Sequence, residues 1–307
     1  MSKERLGLLF VLVGPGGVGK NALLNMVVND FAHLRQLPTA TTRAIRPGEQ
    51  QGREHLFVSV ADFEKMIAEN ALLEYQEVHP GKFYGVPRAT VDDAISEQRD
   101  LIADIEVFGA AIIREEYPNN SVTIFIAPPS TDQLVERLKN RQASPQDIQD
   151  RVNRLPMEMR YAPLARYIIV NDDMHKAAEE LRGIIRIESG EALPSDSQYP
   201  ISTVSFSVAI APLYEGQRLV RQGTEEAYIQ ARFNAGQSPE DAALNTLTAA
   251  LGIEPERIRL DYGTVDSTIP VVCEYNAQAH TYKLTYSYLY HLPERITPSG
   301  WEYIENM

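Results

Sequence analysis

The sequence contains only one cysteine, Cys273, among its 307 residues. A single thiol cannot form a disulfide within the chain, so a reducing compartment is expected and the fold must depend on its hydrophobic core. Long hydrophobic runs are also scarce. The apolar run Leu6–Val13 is too short to span a membrane and ends in glycines, which predicts a buried strand. These absences predict a cytoplasmic protein that does not associate with membranes.

Positive charge is the second quantity in short supply. The chain has 29 Lys and Arg residues against 42 Asp and Glu residues, which gives a net charge of −13. Such a balance opposes nonspecific attraction to the phosphates of nucleic acids or anionic lipids. We therefore expect small-molecule partners and no nucleic acid.

Strand-like and helix-like segments alternate through the first 187 residues, which form the first predicted domain. This rhythm predicts an α/β fold with a parallel sheet flanked by helices. Residues 188–200 are rich in Glu, Ser, Pro and Gly and have no periodicity, which is typical of a linker. Residues 201–307, rich in β-branched and aromatic residues, predict a separate α+β domain with one helix at Pro239–Leu251. The strands predicted for the first domain are Leu6–Val13, Asp100–Ile105, Val122–Ile126 and Tyr167–Val170.

A glycine-rich loop follows the first predicted strand. It reads GPGGVGK from Gly14 to Lys20 and matches the phosphate-loop pattern GxxxxGK between a strand and a helix. Backbone N–H groups and the helix N-terminus would surround a phosphate, and Lys20 would reach the β and γ phosphates. Asn21 stands where this pattern has Ser or Thr for magnesium, but an amide oxygen can also coordinate a hard cation. The predicted ATP-binding residues of the loop are Gly14, Gly16, Gly17, Val18, Gly19, Lys20 and Asn21.

Two arginines three residues apart lie in a segment rich in small hydroxyl residues, Thr39–Glu49. Arg43 and Arg46 suit a second phosphate, because a guanidinium can bind phosphate oxygens through two parallel hydrogen bonds. Taken alone, the same segment could also be a solvated basic loop. The two motifs together predict two neighbouring anion pockets.

Several further motifs follow in a fixed order, and the whole set resembles the guanylate kinase family from Leu6 to about Ile187. The resemblance covers more than half of the chain and does not depend on one motif. The motifs are the phosphate loop, TTRxxRPGE from Thr41, Phe57–Ser59 with Phe63, Leu73–Tyr75, Phe83–Gly85, Asp104–Glu106, Phe125–Pro129 with Arg137, and Val170–Asp173.

This resemblance implies a P-loop kinase that transfers a phosphoryl group from ATP, with Mg²⁺, to GMP or dGMP. It implies phosphoryl-transfer roles for Lys20 and Arg43 and for three arginines of a closing lid, Arg137, Arg141 and Arg151. Asn171 resembles a contact to the adenine side of ATP, and Asp104 joins Asn21 as a candidate metal ligand. Glu74 would accept hydrogen bonds from guanine, which adenine cannot supply. The implied GMP-binding residues are Thr39, Arg43, Arg46, His55, Glu74, Tyr84 and Glu106.

Three positions depart from the family pattern. His55 replaces a tyrosine that contacts the GMP phosphate, and Val86 replaces a serine or threonine that contacts guanine. The loss of that hydroxyl removes a hydrogen bond worth about 1 kcal/mol. The lid reads Gln142-Ala143-Ser144-Pro145 in place of a Gly-Thr and acidic run. We expect these changes to weaken or retune GMP binding while the lysine and arginines remain.

Residues 236–253 of the C-terminal part resemble a Nudix box in their glycine and apolar positions. Gln237, Thr246, Ala249 and Ala250 stand where that family has its metal-binding carboxylates, and Asn245 replaces its arginine. Without carboxylates the segment cannot gather magnesium around a diphosphate. The prediction is a Nudix-like domain without hydrolase chemistry, and an unrelated α+β domain remains the alternative. Its expected roles are ligand sensing, stabilisation of the kinase or formation of a homodimer.

Two other functions stay open at this point. One is a kinase of the same fold that acts on another phosphorylated acceptor, such as ribose 1,5-bisphosphate. Kinases of that kind also have a different polar residue in place of the loop Ser/Thr, so Asn21 leaves this alternative open. The other is a guanylate-kinase-like module that binds protein ligands without catalysis. The complete TTRxxRPGE segment and Glu74 favour a guanine nucleotide, and the intact loop with Lys20 favours catalysis.

Overall fold

The computed structural model describes residues 6–191, 203–215, 217–222, 228–252, 272–276, 281–292, 295 and 298–305. The chain divides into two compact units. The first holds the described parts of residues 1–14, 18–126 and 171–201, and the second holds those of 15–17, 127–170 and 202–307. Most of the predicted linker, residues 192–200, lies outside the described residues, as does Ile253 of the Nudix-like segment. None of the described helices has the length and apolar character needed to cross a membrane.

Residues 6–191 contain nine strands and seven α-helices within the described part of the chain. The predicted elements are present, with ends that differ by a few residues from those predicted. In chain order they are β1 (Leu9–Val13), α1 (Lys20–Val27), β2 (Leu34–Gln36), β3 (Thr39–Thr41), β4 (His55–Phe57), α2 (Val60–Ala68), β5 (Leu72–His79), β6 (Lys82–Pro87), α3 (Arg88–Ser96), β7 (Asp100–Asp104), α4 (Val107–Glu116), β8 (Ser121–Ala127), α5 (Thr131–Asn140), α6 (Pro145–Met159), β9 (Tyr167–Val170) and α7 (Met174–Glu188).

A parallel sheet forms the core of the first unit. Its strands follow the order β2-β7-β1-β8, and each neighbouring pair is parallel. Every residue of β1 is buried, as expected for a parallel strand that is covered on both faces. The predicted α/β fold, a parallel sheet flanked by helices, is therefore confirmed. Because the carboxyl ends of parallel strands share one edge, the loop after β1 and the residues after β7 meet there.

A second, four-stranded sheet was not predicted from the sequence. Its order is β4-β3-β6-β5, with β3 and β4 parallel and the other pairs antiparallel. Strands β3 and β4 have only three residues each, which is too short for an alternating pattern to be recognised. Ala40, Phe63 and Leu72 form the buried cluster beneath this sheet. The second sheet carries most of the residues predicted to bind GMP.

The lid segment, which we define as α5, α6 and the loop between them, has a clear local origin. The Ser130 side chain accepts a hydrogen bond from Gln133 N and begins α5, and Ser144 does the same for α6 through Asp147 N. Pro145 suits the first turn of α6, where its missing N–H is not needed. The departure from the family pattern at Gln142–Pro145 is therefore a helix start.

The C-terminal part is a sheet-rich region of the second unit. Its elements are β10 (Thr203–Tyr214), β11 (Gln217–Arg221), β12 (Ile229–Phe233), α8 (Pro239–Leu251), β13 (Val272–Asn276), β14 (Thr281–His291) and β15 (Trp301–Glu305). The sheet order is β13-β14-β10-β11-β15, and β12 also pairs with β10. The long central pair β10 and β14 is parallel. Ser238 caps the start of α8 and Gly252, with φ 66°, ends it, so this helix has its predicted bounds.

Candidate active site

The glycine loop connects β1 to the start of α1. Gly17 and Gly19 have φ angles of 98° and 102°, which lie in the left-handed region that residues with a Cβ rarely adopt. Val18 between them is buried, which fixes the loop to the core. A glycine loop of this kind at a helix N-terminus is suited to bind a phosphate through its backbone N–H groups.

Lys20, the first residue of α1, lies across the loop. Its Nζ donates a hydrogen bond to the carbonyl oxygen of Gly14 at 2.7 Å and lies 3.5 Å from Oδ1 of Asp104 at the end of β7. Burial raises the pKa of the Asp104 carboxyl, and the Lys20 ammonium opposes this effect. The loop and the end of β7 are thus joined by an ion pair.

Arg151 of α6 is the lid arginine that lies against the loop. A Cβ atom added to Gly16 would lie 2.3 Å from Nη1 of Arg151, so a larger residue would have to displace this guanidinium. The Nε of Arg151 donates to Oδ1 of Asp147 at 3.2 Å. Arg137 lies half-buried in α5, and Arg141 is exposed at the end of that helix. The structure therefore brings Arg151 close to Gly16 and leaves Arg141 facing solvent.

Asn171, the residue predicted to contact the adenine side of ATP, lies against the glycine loop. Its side chain is fully buried, and its Nδ2 donates to the carbonyl oxygen of Val18 at 2.7 Å. A Cβ on Gly19 would lie 2.8 Å from the same nitrogen. Asn171 thus supports the loop from the protein interior, a role that the sequence pattern did not reveal because it depends on a contact between distant residues.

One cleft of about 490 Å³ in the first unit collects most of the other predicted residues. It extends from the start of α1 to the second sheet, so the predicted arginine pair shares a cleft with the residue after Lys20. The predicted residues that line it are Asn21, Thr39, Arg43, Arg46, His55, Glu74, Tyr84, Asp104 and Glu106.

Arg43 lines this cleft and is buried, with 8% of its surface exposed. Its Nε donates to the Tyr84 hydroxyl at 3.0 Å, and its Nη1 and Nη2 donate to the two carboxylate oxygens of Glu49 at 2.7 and 2.5 Å. The guanidinium also lies 5.3 Å from the centre of the Phe57 ring. The hydrogen bond from Arg43 lowers the pKa of Glu49 to about 2. Sequence reasoning included Glu49 in a motif but did not assign it to the site.

Arg46 has the opposite environment. It is exposed, and no hydrogen bond or ion pair of its guanidinium is found among the described residues. Its backbone N–H donates to Oε2 of Glu49 at 2.8 Å. Of the two arginines predicted to bind phosphate, Arg43 is therefore held in place by other residues and Arg46 is exposed.

His55 and Thr39 form a pair next to Tyr84. The Thr39 Oγ1 and His55 Nδ1 atoms are 2.8 Å apart, and the His55 and Tyr84 rings meet edge to face at 5.8 Å. Burial and the charge of Arg43 lower the pKa of His55. The imidazole is therefore neutral at pH 7.

Glu74 and Glu106 add two carboxyl groups to the lining of this cleft. Burial raises the pKa of Glu74 to about 7, and the negative charge of Glu106 adds to this. Gly109 in α4 gives the Glu74 side chain its space, because a Cβ there would lie 2.7 Å from Glu74 Cδ. Val86 is buried and adds no polar group. The partly buried Glu74 carboxyl in this cleft suits a ligand with N–H donors.

The residues predicted to hold magnesium fit that ion by their chemistry. Asn21 and Asp104 line the same cleft and offer an amide oxygen and a carboxylate, the oxygen donors that Mg²⁺ prefers. No cluster of three or more His, Cys, Asp or Glu side chains suitable for a metal is found in the described part of the chain. Magnesium at nucleotide sites takes few protein ligands and completes its shell with phosphates and water.

A parallel sheet, a glycine loop with its lysine, and an arginine-bearing cleft at the same strand edge define a phosphate-loop kinase. The family model of guanylate kinase matches residues 7–188, more than half of the chain, and the chain belongs to this family. It is an enzyme of the guanylate kinase class, a transferase that binds nucleotides and transfers a phosphoryl group.

Two sequence relatives agree with this assignment. The chain is 37% identical over 194 residues to a guanylate kinase of Symbiobacterium thermophilum, with 63% of this chain and 91% of the relative covered. It is 39% identical over 186 residues to one of Bradyrhizobium diazoefficiens, with 60% and 84% covered. A solved guanylate kinase from Anaplasma phagocytophilum has 29% identity and a TM-score of 0.48, with 62% of this chain and 89% of that chain covered.

Proposed function

We propose that the protein transfers the γ-phosphoryl group of ATP to GMP or dGMP and releases ADP and the nucleoside diphosphate. The observation that supports this acceptor is one cleft whose lining includes both Arg43, with its partner Tyr84, and the Glu74 carboxyl. A nucleoside monophosphate has a matching pair of features, a phosphate and a base with N–H donors. Guanine offers its N1–H and amino group to an ionised Glu74, whereas adenine lacks a donor at N1.

The residues would act mainly by positioning two anions in line and by neutralising charge. The glycine loop and Lys20 would hold the β and γ phosphates of ATP. The phosphate of GMP would be held by four side chains, those of Arg46, Arg43, Tyr84 and His55. Magnesium, held through Asn21 and Asp104, would neutralise the ATP phosphates.

The lid arginines would complete the site around the transferred group. Arg151 already lies against Gly16, and Arg137 and Arg141 belong to the helix that precedes α6. Closure would exclude water and so prevent ATP hydrolysis without an acceptor. No covalent intermediate with the protein is required.

The domain assignment accompanies this proposal. We propose that residues 1–187 form the kinase domain, that residues 188–200 form a linker and that residues 201–307 form a Nudix-like domain without hydrolase chemistry. The capped helix α8 and the sheet around β10 support a region with its own core. All of the proposed substrate-binding residues precede the linker.

A coupled assay that detects ADP tests the proposed function. The full chain is mixed with ATP and Mg²⁺ and, separately, with GMP, dGMP, AMP, UMP and ribose 1,5-bisphosphate. We expect turnover with GMP or dGMP, and Lys20→Ala should abolish it because no other ammonium of the loop replaces Lys20. Turnover with ribose 1,5-bisphosphate and with none of the nucleotides would contradict the proposal and favour a kinase for another phosphorylated acceptor. No turnover with any of the five acceptors would contradict it and favour a binding module without catalysis.

A further inference from the structure

The Arg43 guanidinium has almost no hydrogen-bonding capacity left for a substrate. A guanidinium has five N–H groups. In this structure Nε donates to Tyr84, Nη1 donates to Glu49 and to the carbonyl oxygen of Ala44 at 2.9 Å, and Nη2 donates to Glu49. Only one N–H on Nη2 lacks a hydrogen bond from this set. Arg43 therefore cannot bind a phosphate through two N–H groups without breaking contacts with the protein.

Glu49 is held as firmly as Arg43. Its two carboxylate oxygens accept the two hydrogen bonds from Arg43, and Oε2 also accepts the backbone N–H of Arg46 at 2.8 Å. The Glu49 backbone N–H donates to the Arg46 carbonyl oxygen at 3.1 Å, which closes a turn through Gly48. Since its pKa is about 2, the carboxylate is ionised at neutral pH. Glu49 thus fixes the direction of one arginine and the backbone of the other.

We propose that Glu49 is a positioning residue of the acceptor-phosphate site, an inference that rests on the proposed function. Glu49 holds Arg43 in place and turns the backbone so that the exposed Arg46 side chain supplies the main guanidinium contact to the acceptor phosphate. Tyr84 accepts a hydrogen bond from Arg43, which leaves its own hydroxyl proton to donate to that phosphate. The site therefore has one fixed charge, one adaptable charge and one oriented hydroxyl.

The opposite role for Glu49 makes an opposite prediction. If its carboxylate merely occupied Arg43 until a phosphate displaced it, removal of the negative charge would free Arg43 and strengthen acceptor binding. If Glu49 positions the site, the same change would loosen Arg43 and the Arg46 turn and weaken acceptor binding. The sign of the change in KM for GMP separates the two.

The experiment uses Glu49→Gln in the full chain, with steady-state KM and kcat for GMP and for ATP and with the thermal unfolding midpoint. We expect KM for GMP to rise about tenfold or more, because a charge-assisted pair loses its charge and one acceptor. KM for ATP should change less than twofold. Glu49→Asp, which keeps the charge, should recover part of the loss.

Glu116→Gln is the matched control. Glu116 forms the corresponding pair with Arg88, at 2.8 and 3.4 Å, and neither residue lines the cleft. It should leave both KM values unchanged. A double-variant test follows: Glu49→Gln should raise KM for GMP by a smaller factor in Arg43→Ala than in the unaltered protein, because only its effect on the Arg46 turn remains.

The results separate failure of this inference from failure of the proposed function. If the unaltered protein does not phosphorylate GMP or dGMP, the proposed function is wrong. If it does, and Glu49→Gln leaves KM for GMP unchanged or lowers it, the positioning role is wrong. A rise in KM for ATP equal to that for GMP, together with a lower unfolding midpoint, would also reject it in favour of a purely structural pair.

Discussion

Glu74 and Glu106 are two carboxyl groups that line the same cleft, and their electrostatics would set the pH range for the proposed base binding. Desolvation disfavours the charged form of an acid, and a second negative charge has the same effect. The pKa of Glu74 is therefore about 7 in the folded protein, above its usual 4.5. At neutral pH this carboxyl is balanced between a form that accepts two hydrogen bonds and a protonated form that cannot.

This balance predicts a pH-dependent KM for GMP. As pH falls from 8 to 6, the ionised fraction of Glu74 decreases, so KM should rise about tenfold. Glu74 itself also binds more protons in the folded protein than in the unfolded chain between pH 4.5 and 7. The Glu74 contribution to stability therefore decreases as pH rises through this window.

Steady-state kinetics across this range, with the Glu106→Gln variant as comparison, check the prediction. Removal of the Glu106 charge should move the rise in KM to lower pH. Protonation of the GMP phosphate, which also occurs near pH 6, would not move with this variant. An identical profile for both proteins would show that Glu74 does not control base binding.

At the scale of elements, the C-terminal end of α6, the second helix of the lid segment, contacts the C-terminal sheet within the second unit. The Tyr286 hydroxyl of β14 donates to the carbonyl oxygen of Met159, the last residue of α6, at 3.0 Å. Just after the helix, Arg160 Nε lies 2.8 Å from Glu240 Oε1, and the backbone N–H of Gly236 donates to the Pro163 carbonyl oxygen at 2.7 Å. The end of the helix that carries Arg151 is therefore fixed by residues from α8 and β14.

Tyr286→Phe should lower the free energy of unfolding by about 1–2 kcal/mol, because it leaves a buried helix-terminal carbonyl without its partner. Urea denaturation of the full chain measures this change. Tyr214→Phe is the control: its ring packs against Tyr303, and no hydrogen bond of its hydroxyl is found in the described residues. Equal stability losses in both variants would mean that the Met159 contact contributes nothing specific.

At the scale of the whole molecule, the chemistry is proposed to lie within the first 187 residues. The cleft is lined by residues between Asn21 and Glu106, and the lid ends at Met159. The C-terminal sheet and α8 supply contacts to α6 and to the segment after it, and the described residues that line the cleft all belong to the first unit. Its contribution should therefore be to stability more than to substrate binding.

A chain that ends at Glu191 tests this division. It retains the hydrogen bond between Ser189 Oγ and Asp100 Oδ2 at 3.0 Å, so the end of α7 stays attached. We expect KM for GMP to stay within about twofold of the full chain, while the thermal unfolding midpoint falls because the contacts of Gly236, Glu240 and Tyr286 are lost. Failure of the shortened chain to fold, judged by circular dichroism, would contradict the proposed domain boundary.

The elements that the sequence predicted well are those whose signals are local. Buried apolar runs gave β1 and β9, and Ser238, Pro239 and Gly252 fixed both ends of α8. The second sheet escaped prediction because β3 and β4 are too short to show a period, and they exist only through pairing with each other and with β6.

The sequence by itself determined the types of group available: a glycine loop with a lysine, paired arginines and acidic residues after predicted strands. These signals are visible because each depends on spacing within a few residues. Only the tertiary structure decided which contacts each of these groups makes and how the pKa of each acidic group is shifted. Arg43 is fixed by Glu49 and Tyr84, Asn171 supports Val18, and Glu74 has a raised pKa. These properties arise from burial and from contacts between residues that are distant in the chain, which local patterns do not encode.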